Sequence, residues 1–328
     1  MFNFVIFSGA FYCYSITYGD IIGLTNVQYI EDLIKTKNKL INFLFRLHHS
    51  PRINNIINLP LKNIWNGMHF DNDFTDQNPI CFLFFYRWLK YEKEGFFLYL
   101  KKKYPDAKFV IFFQDLIALQ HFDIEYIKKI FDLVLCIDHN EAKLYNILYY
   151  PLVNSLYKYS LDSDLEESDV YFLGYAKNRM KTIIEIYELL KSLNLKCDFN
   201  IAGVASEKQV YKNSVNYISG MSYFDNLKHI AKTKCILEIM QQGQVGFTQR
   251  VCEAITYDKK IITNNPNITS APFYLSQNIC DFKEIADLKT RMDFMDGLNS
   301  NVDYHYKEML SPVKLLEFIT NNLHHDNI

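Results

Sequence analysis

The chain has 328 residues, of which 49% are hydrophobic and 16% aromatic, and its net charge is −2. That content can fill two cores of ordinary domain size and excludes a disordered chain. The charge balance excludes the basic field on which nucleic-acid binding relies, so no nucleic-acid partner is expected. The seven cysteines are odd in number and none is spaced C-x-x-C. Reduced thiols in a cytoplasmic protein are therefore expected, with no zinc.

Residues 1–19 carry no charged side chain. They lack a basic start and are rich in Ser, Thr and Tyr, so a first buried strand (residues 2–7) and a loop are expected rather than a signal anchor. Residues 30–45 show helical spacing at Ile30, Leu33, Leu40, Phe43 and Leu44. Residues 48–79 are loop-rich and include the pair His48-His49, read as solvated. Residues 80–85 predict a strand. Residues 91–103 predict a surface helix ending in Lys101-Lys102-Lys103, a basic end suited to the helix dipole and read as a solvated face, with anionic lipid as the alternative. Strands follow at residues 108–113, ending on Gln114-Asp115, and at 132–137, ending on Asp138-His139. A short helix and residues 147–152 close the first half. Charges at Arg87, Lys90, Glu92, Lys93 and Glu94 exclude a membrane span over residues 81–100.

The polar stretch 156–168 reads as an interdomain linker between a domain of residues 1–155 and one of residues 169–310. Residues 170–174 predict a strand ending on Gly174. Lys177 and Arg179 follow it, then a helix over residues 180–193. They serve either an anion beside a helix start or a plain βα unit with solvated cations. A strand over 198–202 and a helix over 223–231 lead to residues 235–265. There CILEIM is a buried strand, QQGQVG a glycine-containing loop, and Thr248 the cap of a helix. KKIITNN is a second strand. The start of such a helix concentrates free N–H groups and suits a phosphate, to which Arg250 could add a bidentate contact. Glu253, one turn on, suits a ribose diol. The alternative is a capped surface helix with both side chains solvated. A last amphipathic helix spans 313–323. Strands alternating with helices imply an α/β chain with parallel sheets, whose ligands gather at strand carboxyl ends. Asp115 and Asp138 sit at two such ends.

The run Glu238, then Gln244-Val245-Gly246-Phe247-Thr248-Gln249-Arg250-Val251-Cys252-Glu253, then Lys259-Lys260-Ile261-Ile262-Thr263-Asn264-Asn265 resembles a signature. It is that of bacterial glycosyltransferases that build capsule, exopolysaccharide and O-antigen. Glu141-Ala142-Lys143-Leu144-Tyr145 is similar to their D-A-x-x-Y helix, with glutamate for the aspartate. The resemblance implies the GT-B fold, two Rossmann-like domains with parallel sheets facing a central cleft. Residues 311–328 would form a helix able to pack back on the first domain. It implies transfer of a sugar from a nucleotide-diphosphate donor to a growing, lipid-linked surface glycan. Peripheral contact with the inner membrane surface is part of that expectation. The donor site would comprise Gly174, Lys177, Arg179, Gln244, Gly246, Thr248, Arg250 and Glu253. The leaving diphosphate would be stabilised by cations and a helix start, with no metal or other cofactor. Asp115, Asp138 and His139 are the candidates for the catalytic base, each also open to a capping or packing role. Val245 stands where many retaining GT-B enzymes carry a first glutamate. Asp71-Asn72-Asp73 and Asp162-Ser163-Asp164 match the D-x-D of metal-dependent transferases but follow no suitable strand. The alternatives are a non-catalytic GT-B-like binder of glycan or partner proteins, and another nucleotide-sugar enzyme such as an epimerase.

Overall fold

The computed structural model describes residues 1–9, 11–54, 56–57, 59–90, 94–120, 122–241 and 246–325. The chain forms two compact units, one of residues 1–151 with 312–328 and one of residues 152–311. Residues 152–167 thus belong to the second unit.

In the first unit the order is β1 (Asn3–Phe7), β2 (Val27–Ile30), α1 (Lys39–His48), β3 (Ile80–Phe85), α2 (Glu94–Lys103), β4 (Lys108–Phe113), α3 (Ile124–Ile130), β5 (Leu133–Cys136), α4 (His139–Tyr145) and β6 (Leu148–Tyr149). The strands make one parallel sheet in the order β2-β1-β3-β4-β5-β6. β3 (ICFLFF) and β4 (KFVIFF) are apolar on both faces because helices cover both, which the sequence shows as unbroken apolar runs. Phenylalanines from neighbouring strands stack within that core: Phe7 and Phe84 lie with ring centroids 4.7 Å apart.

One predicted helix is corrected here. Ile30 ends β2, and the helix begins only at Lys39, where the Asn38 side chain accepts from the amides of Leu40 and Ile41. The helical spacing over residues 30–45 had merged a strand end with a helix. The paired histidines are not solvated either. His49 is buried against Phe45, and His48 accepts from the Trp65 indole through Nδ1 while its Nε2 lies 2.7 Å from the Pro60 carbonyl. Lys101 and Lys103 lie over the rings of Phe109, Tyr99 and Tyr104.

The second unit contains β7 (Ser168–Tyr175), α5 (Met180–Ser192), β8 (Cys197–Ala202), β9 (Asn216–Ile218), α6 (Tyr223–Lys232), β10 (Thr233–Glu238), α7 (Gln249–Thr256), β11 (Lys260–Thr263) and β12 (Ile279–Asp281). Its parallel sheet runs β12-β11-β10-β7-β8-β9. From β7 the chain adds strands on one side, then returns to add β10 on the other, which is the dinucleotide-binding strand order. Ile183, Ile186, Tyr187 and Leu190 of α5 pack into the core with Phe172, Phe199 and Ile201. The last helix, α8 (Pro312–His325), belongs to the first unit, where Phe318 packs on Tyr150 and His324 stacks on Phe2. No helix among the described residues is long and apolar enough to cross a membrane.

Candidate functional site

The two loops that leave β7 and β10 flank the point where the second sheet reverses its growth. In open α/β sheets the crevice for a ligand opens there, beyond the carboxyl ends of the strands. Most of the donor-site residues singled out by sequence fall on these two loops or on the helix that follows the second.

The first loop begins at the end of β7. A Cβ on Gly174 would lie 3.1 Å from Cζ of Phe172, so glycine lets that ring lie against the strand. Lys177 adopts a left-handed conformation with φ of 44°. Its exposed ammonium reaches across to the second loop and donates to Oε1 of Gln241 at 2.9 Å. Arg179 ties the two strand ends together. It donates to the carbonyl of Tyr175 at 2.6 Å and to the carbonyl of Ile239. Burial lowers its pKa, opposed by the nearby Glu238 carboxylate.

On the other side Thr248 caps α7, its hydroxyl oxygen accepting from the Arg250 amide at 3.1 Å. The same hydroxyl donates to Glu238, the last residue of β10. Thr263, the register partner of Glu238 on β11, donates to its other carboxylate oxygen. Glu238 is buried, and desolvation pushes its carboxyl up. The two hydroxyls and the charges of Arg250 and Arg179 pull partly the other way. Asn265 reaches back to the carbonyl of Gly246 at 3.0 Å, pinning the end of the loop. Gln244, with Gly243 and Val245, lies outside the described residues.

Arg250 and Glu253 are not solvated. Arg250 places Nη1 2.5 Å from Glu253 Oε2 and donates from the same nitrogen to Asn226 Oδ1 at 2.8 Å. Asn226 donates in turn to Glu253 Oε1 at 3.1 Å and accepts from the Tyr171 hydroxyl at 3.0 Å. Glu253 has no exposed surface, whereas the Arg250 side chain keeps 16%. Burial raises the Glu253 carboxyl, and Arg250 opposes that rise. The carboxylate singled out for a ribose diol is therefore placed beneath Arg250. Asn226 and Gln241 were not anticipated. Asn226 had a visible signal, being a polar residue on the apolar face of α6 with Tyr223, Leu227 and Ile230.

The base candidates lie at the carboxyl ends of β4 and β5 in the first unit. Asp115 accepts from the Tyr86 hydroxyl at 3.4 Å, from Gln120 at 3.3 Å and from the Leu116 amide at 2.9 Å. Asp138 caps α4 through Oδ1, which accepts from the amides of Asn140 and Glu141, both at 2.9 Å. Its Oδ2 is buried with no hydrogen-bond partner among the described residues. His139 is exposed, its ring stacked on Tyr149. Glu141, in the helix likened to D-A-x-x-Y, is buried and accepts from the amides of Ile117 at 2.8 Å and Ala118 at 2.9 Å. It fixes the turn after β4.

At the carboxyl end of β2 a cavity of about 330 Å³ is lined by Tyr29, Glu31, Asp32, His69, Asp71 and Asp73, among others. Partial burial and the neighbouring Asp32 push the Glu31 carboxyl up. Lys35 pairs with Asp71 at 3.4 Å and with Asp73 at 3.5 Å, which accounts for one D-x-D match. The merged helix over residues 30–45 had hidden Glu31 and Asp32 as cavity residues.

No protein-family model matches the sequence, and no curated protein matches it. Solved structures do. Sucrose-phosphate synthase from Thermosynechococcus elongatus is similar with a TM-score of 0.53 at 8% identity, covering 98% of this chain and 99% of that one. UDP-GlcNAc 2-epimerase from Neisseria meningitidis is similar with a TM-score of 0.50 at 10% identity, covering 97% and 100%. Together with the two six-stranded parallel sheets, these likenesses give the chain the GT-B fold.

Proposed function

We propose that this protein is a glycosyltransferase that binds a nucleotide-diphosphate sugar at the sheet reversal of its second unit. The observation that carries the reading is the Lys177–Gln241 bridge, which sets an exposed cation at the crevice opposite the Thr248-capped start of α7. The growing charge on a leaving diphosphate is then met by Lys177, by the amide end of α7 and by the edge of Arg250, with no metal ion. Glu253 acts through Arg250, holding its guanidinium in one orientation from below. Arg179 keeps the two loop bases at a fixed spacing.

The acceptor in this reading is a growing surface glycan of capsule, exopolysaccharide or lipopolysaccharide, lipid-linked and met at the cytoplasmic face of the inner membrane. The first-unit cavity suits sugar hydroxyls, because carboxylates accept from them and aromatic rings pack on their apolar faces. Glu31, Asp115, Asp138 and His139 are the residues from which a base for the acceptor hydroxyl would come. Glu31 is favoured among them by a carboxyl held above its usual range at a cavity wall.

A second reading, a nucleotide-sugar epimerase, is favoured by the fold shared with the Neisseria enzyme. Incubation with UDP-, GDP- and dTDP-sugars in EDTA, with and without a library of glycan acceptors, separates the two. The transferase reading expects nucleoside diphosphate to appear only with an acceptor. Epimerised donor without acceptor would support the second reading, and no turnover of any donor would contradict both.

A further inference from the structure

Residues 33–70 contain six lysines and arginines and no carboxylate, in a chain whose net charge is −2; Lys35 among them is paired with Asp71 and Asp73. α1 lies within this stretch. Its inner side is fixed by Phe45, which packs with Ile34, Trp65 and the partly buried Ile41. Its outer side carries Leu40, Phe43, Leu44 and Leu47, at the i, i+3, i+4 and i+7 spacing of a single helix face. All four are between 43% and 64% exposed. Farther along the stretch, Ile56, Ile57, Leu61 and Ile64 are each at least 60% exposed. Lys39 stands four residues before Phe43 and Arg46 three after it, so exposed cations border the apolar row.

We infer that α1 and the exposed apolar residues up to Ile64 dock in the plane of an anionic lipid bilayer. An apolar row with cations along one edge matches both layers of such a surface: acyl chains take the leucines and phenylalanine, and anionic headgroups take Lys39 and Arg46. A second copy of the chain fits less well, because a two-fold contact through this face would bring its own cations together. Of the lysines that end α2, Lys101 and Lys103 lie over aromatic rings, and no exposed apolar row like that of α1 accompanies them among the helix's described residues. The docking does not depend on the transferase reading. It does bear on it, because residues 31–38 run from the wall of the acidic cavity to the cap of α1. A docked helix would hold that cavity beside the lipid.

Flotation of the full chain with vesicles of phosphatidylcholine, alone or mixed in equal parts with phosphatidylglycerol, tests the inference. The protein should float with the mixed vesicles and not with phosphatidylcholine alone, and raised salt should weaken the association. Lys39→Gln with Arg46→Gln should lower partitioning about twenty-five-fold, roughly five-fold for each lost cation. Phe43→Ser with Leu47→Ser should lower it more than about ten-fold. All four side chains are exposed, so melting temperature and nucleotide affinity should stay at wild-type values. No flotation with anionic vesicles, or equal flotation of wild type and both variants, would overturn the inference. So would a dimer in sedimentation that Phe43→Ser with Leu47→Ser dissociates while vesicles capture nothing. Intact flotation with no nucleotide binding would overturn the transferase reading alone.

Discussion

Removing the Glu253 carboxylate should unsettle the second unit more than removing an exposed helix residue would. Glu253 is fully buried, pairs with Arg250 at 2.5 Å and accepts from Asn226 at 3.1 Å. Glu253→Ala takes the paired carboxylate from a guanidinium with 16% exposure and leaves its bond to the Asn226 carbonyl oxygen in place. Breaking a buried pair from one side in this way costs about 3–5 kcal/mol. At about 2–4 °C per kcal/mol for a domain of this size, the melting temperature should fall by about 10 °C. Replacing both partners by apolar residues, Arg250→Met with Glu253→Leu, removes the unpaired charge and should recover most of that loss. The assay is thermal and urea denaturation of both single variants and the double variant, read as a cycle. A coupling energy near 3 kcal/mol is expected. A Glu253→Ala protein that melts with wild type, or strictly additive losses, would refute the pair as the organiser of this helix. Nucleotide affinity should fall in both single variants. Unchanged affinity in a folded Glu253→Ala protein would show that Arg250 is not oriented from below.

Two further outcomes follow from the same geometry. The Glu238 carboxyl is raised above its usual value of 4.5, so it binds its proton more tightly folded than unfolded. Its contribution to stability is present at acid pH and is lost as pH rises through its folded pKa. Urea denaturation across that window should show Glu238→Gln gaining on wild type as pH rises, then running parallel to it; parallel curves throughout would contradict this. Glu141→Ala removes the acceptor for the amides of Ile117 and Ala118 and should cost the first unit about 3 kcal/mol, since hydrogen bonds to charged groups contribute roughly 1.5–3 each. A loss below about 1 kcal/mol, at the level of an ordinary single hydrogen bond, would argue against that clamp.

Sequence reading did best where the physics is local. β3 and β4 match their apolar runs end to end, because a strand buried on both faces has no polar position to blur its limits. Thr248 and Asp138 were legible as caps, because a cap is satisfied within its own turn. β2, β9 and β12 were missed: strands of four, three and three residues leave little period to detect. Burial of Glu253 was not legible, because the partner that draws it inward, Asn226, lies on another helix. The acidic cavity beside Glu31 was hidden for a related reason: Asp71 and Asp73 reach it from a distant loop.

The central claim is that the reversal point of the second sheet holds a diphosphate, with Lys177 as its exposed cation. Calorimetric titration of UDP, GDP, CMP and dTDP into wild type and Lys177→Ala tests this most directly. At least one nucleoside diphosphate should bind without added metal, and Lys177→Ala should weaken it about ten-fold, the loss of one charge-assisted contact. Heat from none of the four, or equal affinity in the variant, would contradict it.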